Sequence, residues 1–340
     1  MQQILIMAGL SEVADAIKSS EEKIRKIAKE IRKNNSHSIK GALENKLFLP
    51  VKTEKIDYSV CAVDGGLLSE RFHGSDITMG KAVAVLFGYS GSKLFSCRYL
   101  PRKFPSPVFD AKLGLDEHES QVNLSLFRLS MEIRTSLVAI RKFSPKVLLL
   151  DGSLLPLPTD TPGKESTLFP EYSKLLGLHG ELYEACRGKC SLIGVIKDTR
   201  SRRLVKELGI GGENTSDSQF VNFLLKKGER TCIFPYARED TPVTKALKKS
   251  GEVYSFYIKP SDSDLPLRIE FVNDNNAEKI PEIINSLSNI SESYAYPASL
   301  IEADLCAAMD PMEMEKVKNE LSSLLGSSLK PLRRSSRPFR

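Results

Sequence analysis

Two aspartates stand out by their context. Asp64 follows the β-rich run of VCAVDGG, residues 60–66, and Asp151 follows that of KVLLLDGSLLPLP, residues 146–158. Each carboxylate comes after apolar, β-favouring residues and before glycine. Both are therefore expected at strand ends, with Gly65 and Gly66 turning the chain sharply. The two aspartates lie 87 residues apart, which makes one shared site built from separate strands the economical arrangement. Glu132, on an apolar-striped segment between them, is the candidate third carboxylate. Acidic groups gathered without neutralisation repel one another, and a divalent cation makes such a cluster useful. Oxygen-only ligation suits magnesium or manganese, and the chemistry that follows is metal-dependent attack on a phosphate ester. Aspartate before glycine is also ordinary turn chemistry, so the trio carries the inference and neither aspartate does so alone.

Other groups could complete such a pocket. Lys197, at the end of SLIGVIKD, is the candidate cation for a phosphate oxygen; its plain alternative is a surface lysine at a strand terminus. Asp198 is either a fourth acidic contributor or the N-cap of the next helix. Arg200, Arg202 and Arg203 follow and could extend a basic track, whose backbone contacts would be sensitive to salt and indifferent to sequence. Tyr296 and Asp304 are eight residues apart, two helical turns, so a helix starting near Pro297 brings both to one face. The four histidines, at 37, 73, 118 and 179, are scattered and argue against a histidine-built metal centre.

The elements that must position these groups read as follows. Residues 11–33 form an amphipathic helix with Ile24, Ile27, Ala28 and Ile31 on one face, either an arm against another subunit or a helix lying on its own domain. YSVCAV, LLSERFHG and KAVAVLFGYS read as three strands of a meander with GG as a turn, SKLFSCRYLP as a fourth strand and residues 101–110 as a loop. A helix over 121–143 buries Leu126, Leu129, Ile133, Leu137 and Ile140, with Glu132 beside that stripe and Arg128 and Ser136 on its flank. KVLLL is apolar enough to be a central strand covered on both faces. The loop after Asp151 is a candidate cleft rim. EYSKLLGLHGELYEACRGK is helical with a bend near Gly177 and Gly180, and EVYSFYIKP and PLRIEFV form a strand pair. Residues 276–290, the segment after Pro297 and residues 312–325 are helical.

The whole chain sets outer bounds. Its 340 residues are 41% apolar and 27% charged, enough for a real core in a soluble protein, and the net charge of +6 modestly favours a polyanionic partner. The six cysteines form no CxxC pair and no disulfide framework, which fits a reducing, cytoplasmic location. No signal-peptide pattern is apparent, and no apolar run approaches the roughly 20 residues that span a bilayer. The tail KPLRRSSRPFR carries five basic residues and no acidic one, so it either grips phosphates or aids solubility. The expected organisation is a helical arm over 1–40, a catalytic body over 41–325 and a basic tail over 326–340.

VCAVDGG, the glutamate in FRLSMEIRTSL, LLLDGSLLPLP, LIGVIKDTRSRRL and YPASLIEAD, in that order over about residues 58–308, resemble the NurA nucleases. The resemblance implies an α/β fold with an RNase H-like mixed central sheet, flanking helices and helical additions, assembled as a homodimer around a channel. It also implies manganese-dependent 5′-to-3′ exonuclease and single-strand endonuclease activity on DNA, with magnesium as the alternative cofactor. The implied role is DNA end resection in recombination repair, beside the hexameric HerA ATPase/translocase. By the same resemblance Asp64, Glu132 and Asp151 hold metal, and Lys197, Tyr296 and Asp304 join them as catalytic residues. Asp304 departs from the family's histidine and cannot supply imidazole chemistry. Two other classes stand beside this one. An inactive DNA clamp or motor regulator would keep the fold without cutting. A sugar kinase or actin-like ATPase also uses strand-end aspartates, although the Glu132-to-Asp151 arrangement fits it poorly and no GxxxxGK[ST] is present.

Overall fold

The computed structural model describes residues 9–210, 215–236, 251–272 and 277–326, together with Val243 and Leu247. In chain order the described elements begin with α1 (Leu10–Asn34), β1 (Phe48–Pro50), β2 (Ser59–Arg71), β3 (Ser75–Ser90), β4 (Lys93–Leu100) and β5 (Val108–Leu113). Then come α2 (Glu117–Phe143), β6 (Val147–Asp151), α3 (Phe169–Cys186), β7 (Ser191–Ile196), α4 (Arg203–Glu207) and α5 (Asp217–Leu224). The remainder is β8 (Glu229–Thr231), β9 (Phe234–Pro235), β10 (Val253–Lys259), β11 (Leu267–Val272), α6 (Ile280–Ser288), α7 (Ala298–Ala307) and α8 (Pro311–Leu325).

The described strands join one mixed sheet in the order β1-β8-β10-β11-β7-β6-β2-β3-β4, with β5 also on β3 and β9 on β10. Toward one edge β2, β3 and β4 form an antiparallel meander, while β2, β6 and β7 run parallel at its centre. This is the RNase H-like arrangement, extended on the β7 side by the β10–β11 pair. Parallel strands need crossover helices, and α2 and α3 supply them between β2, β6 and β7. β6 is buried on both faces, as its unbroken VLLL run requires.

Alternating side chains feed two cores. Val60, Ala62, Val83, Val85 and Leu149 pack toward α6 and α7, whereas Cys61, Val63, Ala84 and Leu148 pack toward α2 and α3. A third cluster joins Ile24 and Ala28 of α1 to Phe220, Val221 and Leu224 of α5. Arg32 fixes that contact through Glu229 at 2.7 Å and lies 4.2 Å from the Phe48 ring centroid. The first turns of α1 expose Leu10, Val13 and Ile17.

Several local expectations differ from what forms. Gly65 and Gly66 make no turn: β2 runs straight through them, paired with Ala82 and Lys81 of β3, and Asp64 is mid-strand on that side. The meander turns instead after Arg71, where Phe72 N–H donates to Ser75 O. The loop expected over 101–110 yields at Val108, because Val108–Leu113 finds a partner on β3. α3 continues through Gly177 and Gly180 without a break. The strands β1, β8 and β9 are only two or three residues long, too short for alternation to mark them in the sequence. The basic tail lies outside the described residues. Among the described residues no helix is long and apolar enough to cross a membrane.

Candidate active site at the β2–β6–β7 edge

The parallel register brings the two aspartates together. Val63 pairs with Leu150, so Asp64 and Asp151 are the next residues along adjacent strands. Asp151 in turn pairs with Val195 of β7, two residues before Lys197. Alternation turns Asp64, Asp151 and Lys197 to the sheet face covered by α7. Lys197 Nζ lies 2.9 Å from Asp151 Oδ2 and 4.5 Å from the Tyr296 ring centroid. The Tyr296 hydroxyl sits 3.1 Å from Asp151 Oδ1 and 3.2 Å from Val195 O, and its ring is buried just before α7. Asp304 is exposed on α7, close enough for its charge to act on Asp64 and Lys197.

Glu132 comes from the other face. The absent side chain of Gly65 admits it: a Cβ there would stand 2.9 Å from Glu132 Oε1 and 3.0 Å from its Cγ. Gly66 performs the mirror-image task, since a Cβ would fall 2.1 Å from the backbone oxygen of Ala307 at the end of α7. The pair is thus needed for close approach on both sides of an extended strand. α2 is set for this by a capping box between Asp116 and Glu119 and by its apolar stripe. Arg128, one turn before Glu132, donates from Nη1 to Oε1 at 2.9 Å, and Ser136 Oγ donates to Glu132 O at 2.8 Å.

The carboxylates are charged at a cost. Burial, then the charge of Asp151, raises Asp64 to about 7 against the pull of the Gly65 N–H and Lys197. Burial lifts Glu132 to about 8, against the attraction of Arg128 and with repulsion from Asp64. Burial, then Asp151, holds the Tyr296 hydroxyl well above its ordinary range. Burial pulls the Lys197 ammonium down, but its bond and charge pairing with Asp151 win and the net shift is upward. Burial is the larger cause for both carboxyls, and repulsion between neighbouring carboxylates adds to it.

The donor set fits a hard divalent cation in its chemistry, since carboxylate oxygens are what such ions take. Among the described residues, however, no three His, Cys, Asp or Glu side chains are gathered into one ligation shell. Glu132 is turned to Arg128 and Asp151 to Lys197 and Tyr296, so a shared shell requires those contacts to loosen.

Of the residues singled out in the sequence, the structure brings Asp64, Glu132, Asp151, Lys197 and Tyr296 together, with Asp304 at the lip. Asp198 and Arg200 are exposed, and Arg202 rather than Asp198 stands at the cap of α4. Arg203 packs on Tyr236, 5.5 Å from its ring centroid. The loop after Asp151 reaches back to α2 through residues 158–160, as a rim should. What sequence reasoning missed is the steric use of Gly65 and Gly66. The available signal was two glycines inside a run whose alternation continues past them.

The NurA domain model matches residues 58–307. The chain belongs to the NurA family. The NurA nuclease from Sulfolobus solfataricus has 16% identity over 93% of each chain, with a TM-score of 0.62. A NurA bound to dAMP and manganese has 12% identity over 93% of this chain and 98% of its own, with a TM-score of 0.57. A NurA with manganese gives a TM-score of 0.56 at 12% identity, again over 93% and 98% of the two chains. At such identities the likeness is one of fold, and this NurA-family sheet is shared with nuclease structures. No curated protein matches by sequence.

Proposed function

We propose that this NurA-family chain is a metal-dependent DNA phosphodiesterase, a 5′-to-3′ exonuclease with single-strand endonuclease activity. The observation that carries the reading is the gathering of Asp64, Glu132 and Asp151 around strands β2 and β6, with Lys197 and Tyr296 bonded to Asp151. The manganese and dAMP of the similar NurA structure support the cofactor and the substrate class. Asp64, Glu132 and Asp151 would hold manganese, or magnesium in its place. Such an ion, when bound, makes water a better nucleophile and neutralises phosphate charge.

The chain's own residues do the rest. Tyr296 and Lys197 orient the Asp151 carboxylate from two sides. Lys197 offers its ammonium to a non-bridging phosphate oxygen when a strand enters. Arg128 holds Glu132 at the Gly65 notch, so that the glutamate stays beside the sheet in the absence of substrate. Asp304, exposed at the lip, is placed to accept a proton or meet a bound cation. We further assign residues 1–40 as a helical arm, 41–325 as the nuclease body and 326–340 as a basic tail, in a homodimer. The cellular role that follows from the family is DNA end resection in recombination repair with a HerA-like hexameric translocase, in the cytoplasm.

The test is cleavage of end-labelled single-stranded and duplex DNA with manganese, magnesium or EDTA. Asp64→Asn and Asp151→Asn are run beside wild type. Metal-dependent products are expected from wild type, with at least about a 100-fold loss in each variant. Asp304, standing where the resemblance places a histidine, supports a second reading as an inactive DNA clamp. Wild type that binds DNA but stays inert, even with its translocase, would establish that reading and end the first.

A further inference from the structure

Behind the candidate site, on the opposite face of the sheet, lies a second pair of charges. Arg268 and Glu270 of β11 are 4% and 0% exposed, and Arg268 Nη2 stands 3.0 Å from Glu270 Oε1. β11 adjoins β7, with Arg268 opposite Ile196 and Glu270 opposite Gly194. Each charge reaches over β7 to one of the two segments that leave the site.

Glu270 takes the segment after Asp151. Its Oε2 accepts from Ser153 Oγ at 2.7 Å and from the Leu154 N–H at 3.0 Å. The crossing is possible because Gly194 lacks a side chain: a Cβ there would sit 2.5 Å from Gly152 O and 3.1 Å from Leu154 Cγ. Gly152 N–H donates to Val195 O at 3.0 Å, and the Tyr183 hydroxyl donates to Leu154 O at 2.7 Å, so the turn is tied at four points. Arg268 takes the segment after Lys197. Its Nη1 donates to Thr199 Oγ1 at 2.8 Å and to the Tyr236 hydroxyl at 2.9 Å. Thr199 Oγ1 also accepts from the Ser201 N–H at 3.1 Å, which fixes the bend beyond Lys197.

We infer that Arg268 and Glu270 are positioning residues for the Asp151–Lys197 pair. The back pair sets the spacing of the two segments, and the segments set the spacing of the front pair across β7. A buried ion pair is weak evidence of net stability, because apolar residues of similar size serve that end as well. What apolar residues cannot supply is an acceptor for Ser153 and Leu154 and a donor for Thr199. The pair is therefore explained by what it aims. Neither charge reaches the candidate site face, so neither is a catalytic residue.

The role in cleavage rests on the nuclease reading, whereas the clamp itself does not, and the experiment keeps them apart. The double variant Arg268→Met/Glu270→Leu removes both buried charges together, and Ser153→Ala removes one tether while keeping the pair. In metal-free protein, hydrogen exchange is followed for peptides spanning 152–156 and 197–202. The double variant is expected to exchange on the order of tenfold faster in both segments with β3 and α2 unchanged, and Ser153→Ala only in the first. On DNA, kcat should fall on the order of 10- to 100-fold in the double variant with KM little altered, the signature of misaimed groups rather than lost binding. Unchanged exchange in both segments, or acceleration spread evenly through the sheet, would overturn the clamp. If the double variant does not fold, the local exchange of Ser153→Ala decides in the same sense. If wild type does not cut DNA, the nuclease reading falls, and the exchange pattern still decides whether the clamp exists.

Discussion

The two faces of the central sheet hold charge in opposite ways. On the α7 face and at the Gly65 notch, three carboxylates crowd against Lys197 and Arg128, and Asp64 and Glu132 are pushed up to about 7 and about 8. On the α3 face, one acid meets one base in full burial, and each charge also holds polar groups of a neighbouring loop. The first arrangement buries several carboxylates beside one another; the second pairs one charge with one, although Arg268 Nε and Glu270 Oε1 keep no hydrogen-bond partner. The site proposed to take a cation and a polyanion is built on the first plan. The parts that hold it still are built on the second.

That contrast can be broken at its balanced side first. Glu270→Ala strands a buried guanidinium and two tethered groups, the Ser153 hydroxyl and the Leu154 N–H, and should cost roughly 3–5 kcal/mol in urea denaturation. The same truncation at Asp151 should cost clearly less, because Lys197 can turn to solvent. Equal losses would mean that the two faces do not differ as described.

The crowded side should respond with the opposite sign. The Asp64 carboxyl ionises near pH 4 in the unfolded chain and about 7 in the folded one, so the fold favours its neutral form. Its contribution to stability is complete below the unfolded value and is lost as pH rises through the folded one. Asp64→Asn should therefore stabilise the metal-free protein by about 2 kcal/mol at pH 8, roughly half of what the full shift corresponds to. The gain should vanish at pH 4. Denaturation in EDTA at both pH values checks it, and a destabilised variant at pH 8 would contradict the crowding.

A smaller effect tests the notch. Gly65→Ala pushes on the Glu132 carboxyl and Cγ, which Arg128 pins, and should cost about 1 kcal/mol, the low end for overpacking. Pairing it with Glu132→Ala should recover most of that loss, since the clash partner is gone. A cost that persists unchanged in the double variant would show that the strand itself objects to the methyl.

Much of this was legible beforehand. The order of strands and helices around Asp64, Glu132 and Asp151 follows from alternation and helical stripes, which report local environment directly. Burial on both faces of β6 could be read because VLLL leaves no polar side. PLRIEFV is legible as a strand, but its alternating charges do not show that β11 is flanked by β7 and β10 and that the charged face is covered. A strand's place in a sheet is a property of the whole chain, so the meaning of Arg268 and Glu270 could not be found locally. The dipeptide Gly65-Gly66 failed for a related reason. Glycine reports freedom from a side chain, and only the partners show whether that freedom serves a bend or a contact. Val108–Leu113 hid behind two prolines, whose turn signal outweighed its short apolar run.

The glycine pair also has a mechanical consequence. At Gly65 and Gly66 the wall between α2 and α7 is one backbone thick, with no side chain on either side to act as a cushion. Elsewhere in the sheet a displaced helix can be absorbed by rotamer changes in the layer beneath it. Here a few tenths of an ångström at Glu132 bear directly on the peptide that also faces Ala307. The two banks of the cleft therefore share a single tolerance, and whatever moves one bank is felt by the other.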